Sequence, residues 1–315
     1  MSKRSPLLLV SGSSHPALSH AVAAELDVPL GKLSASRFSC GETYVRVDES
    51  IRGEEVYVIQ TIATQPNDDY MELFLLMDAL KRASASAIHV VVPHFGYARQ
   101  DKKSAPREPI SARVMADLLS AVGFDRLITV DLHADQIQGF FSRPVDHLTA
   151  LPLFIHYFSH KQLPDLVVVA PDAGRAKFAK KLSDRLGAEL GIMHKTRPSH
   201  NVAEIVNIVG DVRGKTVLLV DDMVDTGGSV TSGIEALRQH GCNRDIYLAT
   251  THPVFSGPAV NRLAGAGFKE VVVTDTIPVP ESKRFNGLTI LPIAPLLAQA
   301  ILANHEHRSI TSLYQ

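Results

Sequence analysis

Within the stretch TVLLVDDMVDTGGS, residues 216–229, a run of β-branched and aliphatic residues stops at two adjacent acids, Asp221 and Asp222. A third acid, Asp225, follows, then Thr226, Gly227, Gly228 and Ser229. Carboxylates at the end of a buried strand accept hydrogen bonds from neighbouring hydroxyls. The glycines let backbone N–H groups turn inward, Thr226 and Ser229 add hydroxyl donors, and a following helix N-terminus favours an anion. A phosphorylated sugar carries both kinds of group at about that spacing. The everyday alternative for an isolated DTGGS is a capped helix with a solvated acidic loop. Two acids at the strand end, joined to the whole turn, favour the sugar phosphate. GxxxxGK[ST] is absent, so this is not a Walker A loop.

Other segments carry complementary chemistry. PHFGYARQDKKSAPREPISARV, at 93–114, places Arg99, Lys102, Lys103, Arg107 and Arg113 between a strand and a helix, stiffened by prolines and accompanied by Phe95 and Tyr97. A cationic, semi-rigid loop at a strand's C-terminal end suits a nucleotide polyphosphate, although charged loops are usually just solvated. DLHADQIQGFF, at 131–141, puts His133 just after a strand, where structural and ligand roles are evenly matched. VVVAPDAGRAK, at 167–177, repeats the strand-then-acid design with Asp172, whose ordinary role is a helix N-cap. HKTRPSHNVAEIVNIVG, at 194–210, holds Lys195, Arg197 and His200 and reads as a long exposed loop that Pro198 keeps from being helical. Cationic loops of this kind exclude water and neutralise charge on a phosphoryl group.

The elements that must position these residues follow from hydrophobic pattern. Short apolar runs alternate with helical stretches, the signature of βα units around a parallel sheet. Strands are expected at Leu7–Ser11, Val56–Gln60, Ile88–Pro93 and Leu127–Asp131, then at Leu166–Ala170, Leu190–His194, Val217–Asp221, Ile246–Thr250 and Val271–Thr274. Helices are expected at Asp69–Ala83, Ile110–Ala121, Lys177–Leu186 and Gly228–His240. ITVDLHADQ and VLLVDDMVD have a similar shape, so two related α/β domains are expected, residues 1–148 and 149–315, parting where PVDHLTALP breaks the pattern.

With 315 residues, 45% hydrophobic and 21% charged, the chain has room for two such domains. The net charge of −1 gives no electrostatic reason to expect nucleic acid or an anionic membrane as partner. Two cysteines without a CxxC pair, and an N-terminal apolar run of four residues, lead us to expect a reduced, cytoplasmic, soluble protein.

VDDMVDTGGS resembles the signature of type I phosphoribosyltransferases, whose loop holds ribose 5-phosphate or phosphoribosyl pyrophosphate. FSCGE, MELFLLMDALKRASA, GYARQDKK, REPISAR, DLHADQIQGFF, PVDHL, NVAEIVNIVGD, VDDMVDTGGS and THPVFSGPA, in that order, resemble segments of the ribose-phosphate pyrophosphokinase family, and the likeness spans GSSHPALS to HRSITSLY. The resemblance implies two parallel-sheet domains of the type I phosphoribosyltransferase fold. It implies transfer of the pyrophosphoryl group of MgATP to the anomeric hydroxyl of ribose 5-phosphate, with Mg²⁺ as cofactor, inorganic phosphate as activator and a homo-oligomer, a hexamer built from dimers.

Residue by residue, the likeness assigns ATP to Phe38, Cys40, Gly41, Glu42, Arg99 and Gln100, with Phe38 either stacked on adenine or a core aromatic. His133 and Asp172 match metal positions, with contact between His133 and ATP phosphate left open because Mg²⁺ prefers oxygen. Lys195 matches the catalytic lysine and Arg197 its companion. Asp221, Asp222, Asp225, Thr226, Gly227, Gly228 and Ser229 match the ribose 5-phosphate site together with Arg197. Arg52, Ser309 and Thr311 match a regulatory phosphate site.

Two departures stand out. Cys40 replaces the family's usual acid or amide, removing an acceptor for the adenine amino group. Arg175 replaces a common second glycine, which means either left-handed strain or an added anion contact. The alternatives to an active diphosphokinase are a phosphoribosyltransferase, usually single-domain, and a non-catalytic regulatory homologue, which tends to interrupt the catalytic loop.

Overall fold

The computed structural model describes residues 7–196, 205–243 and 245–314. The chain divides into two compact α/β units. The first opens with β1 (Leu7–Ser11), α1 (Pro16–Leu26), β2 (Leu33–Arg37), β3 (Thr43–Val47) and β4 (Glu55–Ile59). It continues with α2 (Pro66–Arg82), β5 (Ala87–Val92), α3 (Ser111–Val122), β6 (Arg126–Val130) and β7 (Val145–Leu148). Among the described residues its main sheet is parallel, in the order β1-β4-β5-β6-β7, and β2 and β3 form a separate antiparallel hairpin.

The second unit holds α4 (Leu151–Lys161), β8 (Leu166–Ala170), α5 (Ala176–Leu186), β9 (Glu189–Thr196), β10 (Ile205–Val209) and β11 (Thr216–Val224). Then come α6 (Gly228–Gln239), β12 (Ile246–Pro253), α7 (Ala259–Ala266), β13 (Glu270–Thr274) and β14 (Leu288–Leu291). Its sheet runs β10-β9-β8-β11-β12-β13-β14, parallel except for the antiparallel pair of β9 and β10.

The inner strands are read from their apolar runs because they are covered on both faces. Val167 and Val169 point to one side of β8 and Val168 to the other, as do Val217 and Leu219 against Leu218 on β11, and all of them are buried. The helices show the matching stripe: α5 buries Ala179, Leu182 and Ser183 at i, i+3 and i+4. α2 starts with Pro66 and has Asp68 and Asp69 in its first turn, with Lys81 and Arg82 in its last, so its charges complement the helix dipole.

Residues 292–315 depart from the expected boundary. The last helix, α8 (Ala294–His305), and the tail belong to the first unit, together with residues 276–278. The expectation that 149–315 is one domain is corrected to that extent. The cause is packing: α8 buries Leu296, Leu297, Ala300 and Ile301 and lies on α1.

Polar contacts also secure it. Glu55 on β4 accepts hydrogen bonds from His305 Nδ1 at 2.7 Å, His89 Nε2 at 2.8 Å and Tyr57 OH at 2.8 Å, while the Tyr57 ring stacks on His89. Burial works against ionisation of Glu55, but the bonds from Tyr57 and His305 outweigh it and hold the carboxyl below its ordinary range. Burial pushes His89 down despite Glu55. Its Nδ1 has no partner, so a second ring proton would be buried unsatisfied.

Both shifts have the same sign for stability. A lowered His89 loses stabilisation as pH falls below the unfolded value of about 6.5, and a lowered Glu55 loses it as pH falls below the unfolded carboxylate value of about 4.3. Thermal melts between about pH 7.5 and 5 are therefore expected to show Tm falling as the pH drops. His89→Asn should flatten that slope. A wild-type Tm constant over the window would refute the account.

Candidate active site

The second sheet reverses direction between β8 and β11. From β8 the chain moves outward through β9 to β10, then returns to the other side of β8 with β11 and proceeds to β14. In open parallel sheets ligands bind outside the carboxyl ends of strands at such a switch point. Asp172 follows β8, and Asp221 and Asp222 lie towards the end of β11.

β11 is longer than its apolar run. Its pairing with β8 stops at Leu219 opposite Val169, whereas pairing with β12 continues through Asp221 opposite Thr250 to Val224 opposite Pro253. The two acids therefore sit within the strand, not past it, in a stretch paired with β12 alone. Asp221 and Asp225 are partly exposed, but Asp222 is buried. The Asp222 N–H donates to Asp221 Oδ1 at 2.8 Å. Burial, and next the charge of Asp222, raise the Asp221 carboxyl well above the usual carboxylate range, and Arg175 acts against that.

Beyond β11, Gly227 has φ +76° as the residue before α6, a left-handed position that glycine takes without strain. The turn is pinned from outside. Ser256 N–H donates to Asp225 O at 2.9 Å, Phe255 N–H to Val224 O at 3.0 Å, and Arg262 on α7 to Thr226 O at 3.0 Å. With those carbonyls occupied, Thr226 and Ser229 remain exposed at the helix N-terminus. Arg262 was not among the expected site residues, although it lies just beyond the THPVFSGPA segment.

In the first unit the FSCGE segment is the tip of the β2–β3 hairpin. Phe38 N–H donates to Glu42 O at 2.9 Å, and Gly41, with φ +95°, donates to Phe38 O at 2.8 Å. Phe38 is 54% exposed, which rules out the core-aromatic alternative, and its ring meets Tyr44 edge to face. Cys40, Gly41 and Glu42 are exposed beside it.

Arg99 and Gln100 follow β5, and His133 follows β6, so both loops leave neighbouring strands at one sheet edge. Gln136 donates to Asp101 at 2.6 Å, tying the two loops together. Gln100 is fixed by Ser111, whose hydroxyl donates to Gln100 Oε1 at 2.5 Å, and Tyr97, with φ +64°, bonds to Asn67.

Asp172 does act as a cap, accepting from Arg175 N–H at 3.1 Å, while its carboxylate stays exposed. As a hard oxygen donor it suits Mg²⁺ better than the nitrogen of His133 does. Among the described residues no three His, Cys, Asp or Glu side chains form a ready metal cage. Arg52 is exposed in the turn before β4, and Ser309 Oγ donates to Thr311 Oγ1 at 2.9 Å in the tail.

The segment 194–210 is corrected in part. Residues 194–196 and 205–209 are strand, with Lys195 opposite Val206 across the antiparallel β9–β10 pair. Apolar residues in EIVNIVG supply the second strand. Arg197 and His200 lie outside the described residues.

Comparison with known proteins decides among the expected families. Residues 7–123 match the N-terminal domain of ribose phosphate pyrophosphokinase, and 198–315 the phosphoribosyl synthetase-associated domain. The chain belongs to the ribose-phosphate pyrophosphokinase family. A ribose-phosphate pyrophosphokinase of Oceanobacillus iheyensis is 46% identical over 99% of this chain and 98% of its own length. One from Synechocystis is 49% identical over 100% of this chain and 95% of its own. The crystal structure of phosphoribosylpyrophosphate synthetase from Mycobacterium smegmatis superposes with TM-score 0.91 at 48% identity, over 96% of this chain and 99% of that one. Both domains of the family are thus present, and the expected pair of parallel α/β domains stands.

Proposed function

We propose that this enzyme, a ribose-phosphate diphosphokinase by family, holds ribose 5-phosphate at the β8–β11 switch point and ATP on the loops of its first unit. The product is 5-phosphoribosyl 1-pyrophosphate for nucleotide biosynthesis. The observation that carries the reading is the β11 acid pair followed by the pinned turn into α6, which offers carboxylates for sugar hydroxyls and N–H groups for a phosphate within one continuous segment.

In this reaction the anomeric hydroxyl gives up its proton to the phosphate products or to water, its oxygen forms a bond to the β-phosphorus of ATP, the bond from that phosphorus to the α–β bridging oxygen breaks, and AMP leaves. Such transfer depends on in-line positioning and charge neutralisation more than on covalent chemistry. Asp221 accepts from the ribose hydroxyls, while Asp225, Thr226, Gly227, Gly228 and Ser229 seat the 5-phosphate, with Arg197 as a further contact. Asp222 serves this site from its buried position. Phe38 at the hairpin tip offers its face to adenine, Cys40, Gly41 and Glu42 frame it, and Arg99 and Gln100 bind the polyphosphate.

Lys195 and Arg197 supply fixed cations to the transferred group and the departing AMP. Asp172 is the fitting ligand for Mg²⁺, with His133 beside metal or phosphate. When bound, the ion neutralises polyphosphate charge. Activation by inorganic phosphate at Arg52, Ser309 and Thr311, a hexamer built from dimers and a cytoplasmic location complete the proposal. No helix among the described residues is long and apolar enough to cross a membrane.

The test is product analysis. Purified protein with ribose 5-phosphate, ATP and Mg²⁺ is expected to release AMP, not ADP, in step with phosphoribosyl pyrophosphate. Release of ADP, or no AMP above background across a phosphate titration, would sink the assignment.

A further inference from the structure

Arg175 occupies the position where the sequence left two readings open, backbone strain or an added anion contact. Its backbone has φ −93° and ψ −5°, a turn conformation with negative φ, so left-handed strain is excluded. The turn that carries it is set by Asp172, whose carboxylate accepts from the Arg175 N–H. From there the side chain reaches β11, and its Nε lies 3.4 Å from Asp222 Oδ1. The Asp222 side chain is 3% exposed and that of Arg175 15%, so this is a pair largely shielded from water.

Two adjacent carboxylates at the end of a strand repel each other, and a buried one without a counter-ion is costly. Arg175 answers that need for Asp222. The effect is passed on, because the Asp222 N–H donates to Asp221 Oδ1 and the Asp222 side chain anchors that peptide. Asp172, Arg175, Asp222 and Asp221 thus form a continuous chain across the switch point, from the turn after β8 to the Asp221 carboxylate on β11.

We propose that Arg175 is a positioning residue for the ribose hydroxyls: it holds Asp222 in its buried seat, and through that peptide orients Asp221 towards the sugar. The inference rests on the assignment of ribose 5-phosphate to β11. It predicts that Arg175 governs how well the enzyme distinguishes ribose 5-phosphate from its 2-deoxy analogue, although it does not itself touch the hydroxyls.

The experiment measures kcat and KM for both substrates in wild type, Arg175→Met, Arg175→Lys, Asp222→Asn and the Arg175→Met/Asp222→Asn double variant. Arg175→Met is expected to raise KM for ribose 5-phosphate about tenfold, the size of one misplaced hydrogen-bonding carboxylate, and to move KM for ATP less than about twofold. Its preference for ribose 5-phosphate over 2-deoxyribose 5-phosphate falls by a similar factor. Arg175→Lys recovers part of both losses. The double variant is no worse than the poorer single one, because Asp222→Asn removes the charge that Arg175 compensates.

An unchanged KM for ribose 5-phosphate, an equal change in KM for ATP, or strictly additive losses would each overturn the proposal. If circular dichroism shows Arg175→Met unfolded, Arg175→Lys and Asp222→Asn are compared instead, and an unmoved sugar preference in both overturns it equally. A wild type inactive on ribose 5-phosphate and ATP refutes the assignment of function. An active wild type with insensitive Arg175 variants refutes only this role.

Discussion

Lys195→Ala is expected to lower kcat by about 10²–10³-fold, the range seen when one preorganised charge-stabilising group is removed. The lysine is at the penultimate residue of β9, opposite Val206, where the strand leads into the 197–204 segment. In the proposed mechanism a cation at that point serves charge that builds on the transferred pyrophosphoryl group and on AMP, so its loss would fall on the transition state. KM for each substrate should then change by less than about fivefold, because the proposal assigns ground-state binding to the strand-end loops. Alanine retains the N–H and C=O groups on which the β9–β10 ladder depends, so the circular dichroism spectrum should be unchanged. Lys195→Arg, which keeps the charge and alters its shape, should fall between the two. Turnover within about threefold of wild type would remove Lys195 from the mechanism. An unfolded Lys195→Ala protein would show that the residue belongs to the structure instead.

Legibility in the sequence followed how local each cause is. β1 and β8 were read to the residue, because a buried parallel strand announces itself by uninterrupted apolar side chains bounded by polar ones. β11 was read short. Asp221 and Asp222 look like the end of a strand, but continued pairing to β12 carries the strand to Val224, and a local pattern contains no signal for that partner. The same limit hides β10 and the end of β9, a strand expected only over Leu190–His194, behind a polar stretch. The β2–β3 hairpin escaped notice for a related reason: an isolated two-stranded ribbon has little apolar content of its own and leans on α2.

α8 shows the limit most plainly. Its sequence, APLLAQAILANH, says that the helix is buried but not in which unit. The answer includes a hydrogen bond between His305 and Glu55, residues 250 positions apart. At the site, residue types identified the strand-end acids and the turn. The unequal burial of Asp221 and Asp222 is not readable, since it follows from β11 continuing past them along β12, which puts the two side chains on opposite faces. Arg262 was likewise invisible as a support, because nothing around it marks a guanidinium that holds the backbone of another loop.

The turn into α6 allows charge and fold to be separated experimentally. Gly228 begins the helix without a left-handed φ, and a Cβ there would meet only Arg262 Nη1 at 3.6 Å and Thr226 Oγ1 at 3.9 Å, ordinary contacts. Gly228→Asp should therefore fold. An acidic side chain in the first turn of a helix is worth about 0.3–1 kcal/mol against the dipole, and Arg262 lies within reach, so Tm should hold or rise. The same carboxylate would stand where the 5-phosphate is proposed to sit. Repulsion between unit charges 5 Å apart amounts to about 3 kcal/mol at an effective dielectric of 20. Solvent around the exposed Thr226 and Ser229 reduces this, while the double charge of a phosphate restores much of it. KM for ribose 5-phosphate should rise about 100-fold, equivalent to about 2.7 kcal/mol, with KM for ATP nearly unchanged. Gly228→Ala supplies the control: it adds the Cβ without the charge and should stay within about threefold of wild type. If Gly228→Ala is as harmful as Gly228→Asp, the turn is tuned by shape and not by charge. If neither variant affects the sugar phosphate, the 5-phosphate binds elsewhere. A loss confined to the charged variant would mark the α6 N-terminus as the phosphate seat, since only an anion should distinguish two variants of the same stable turn.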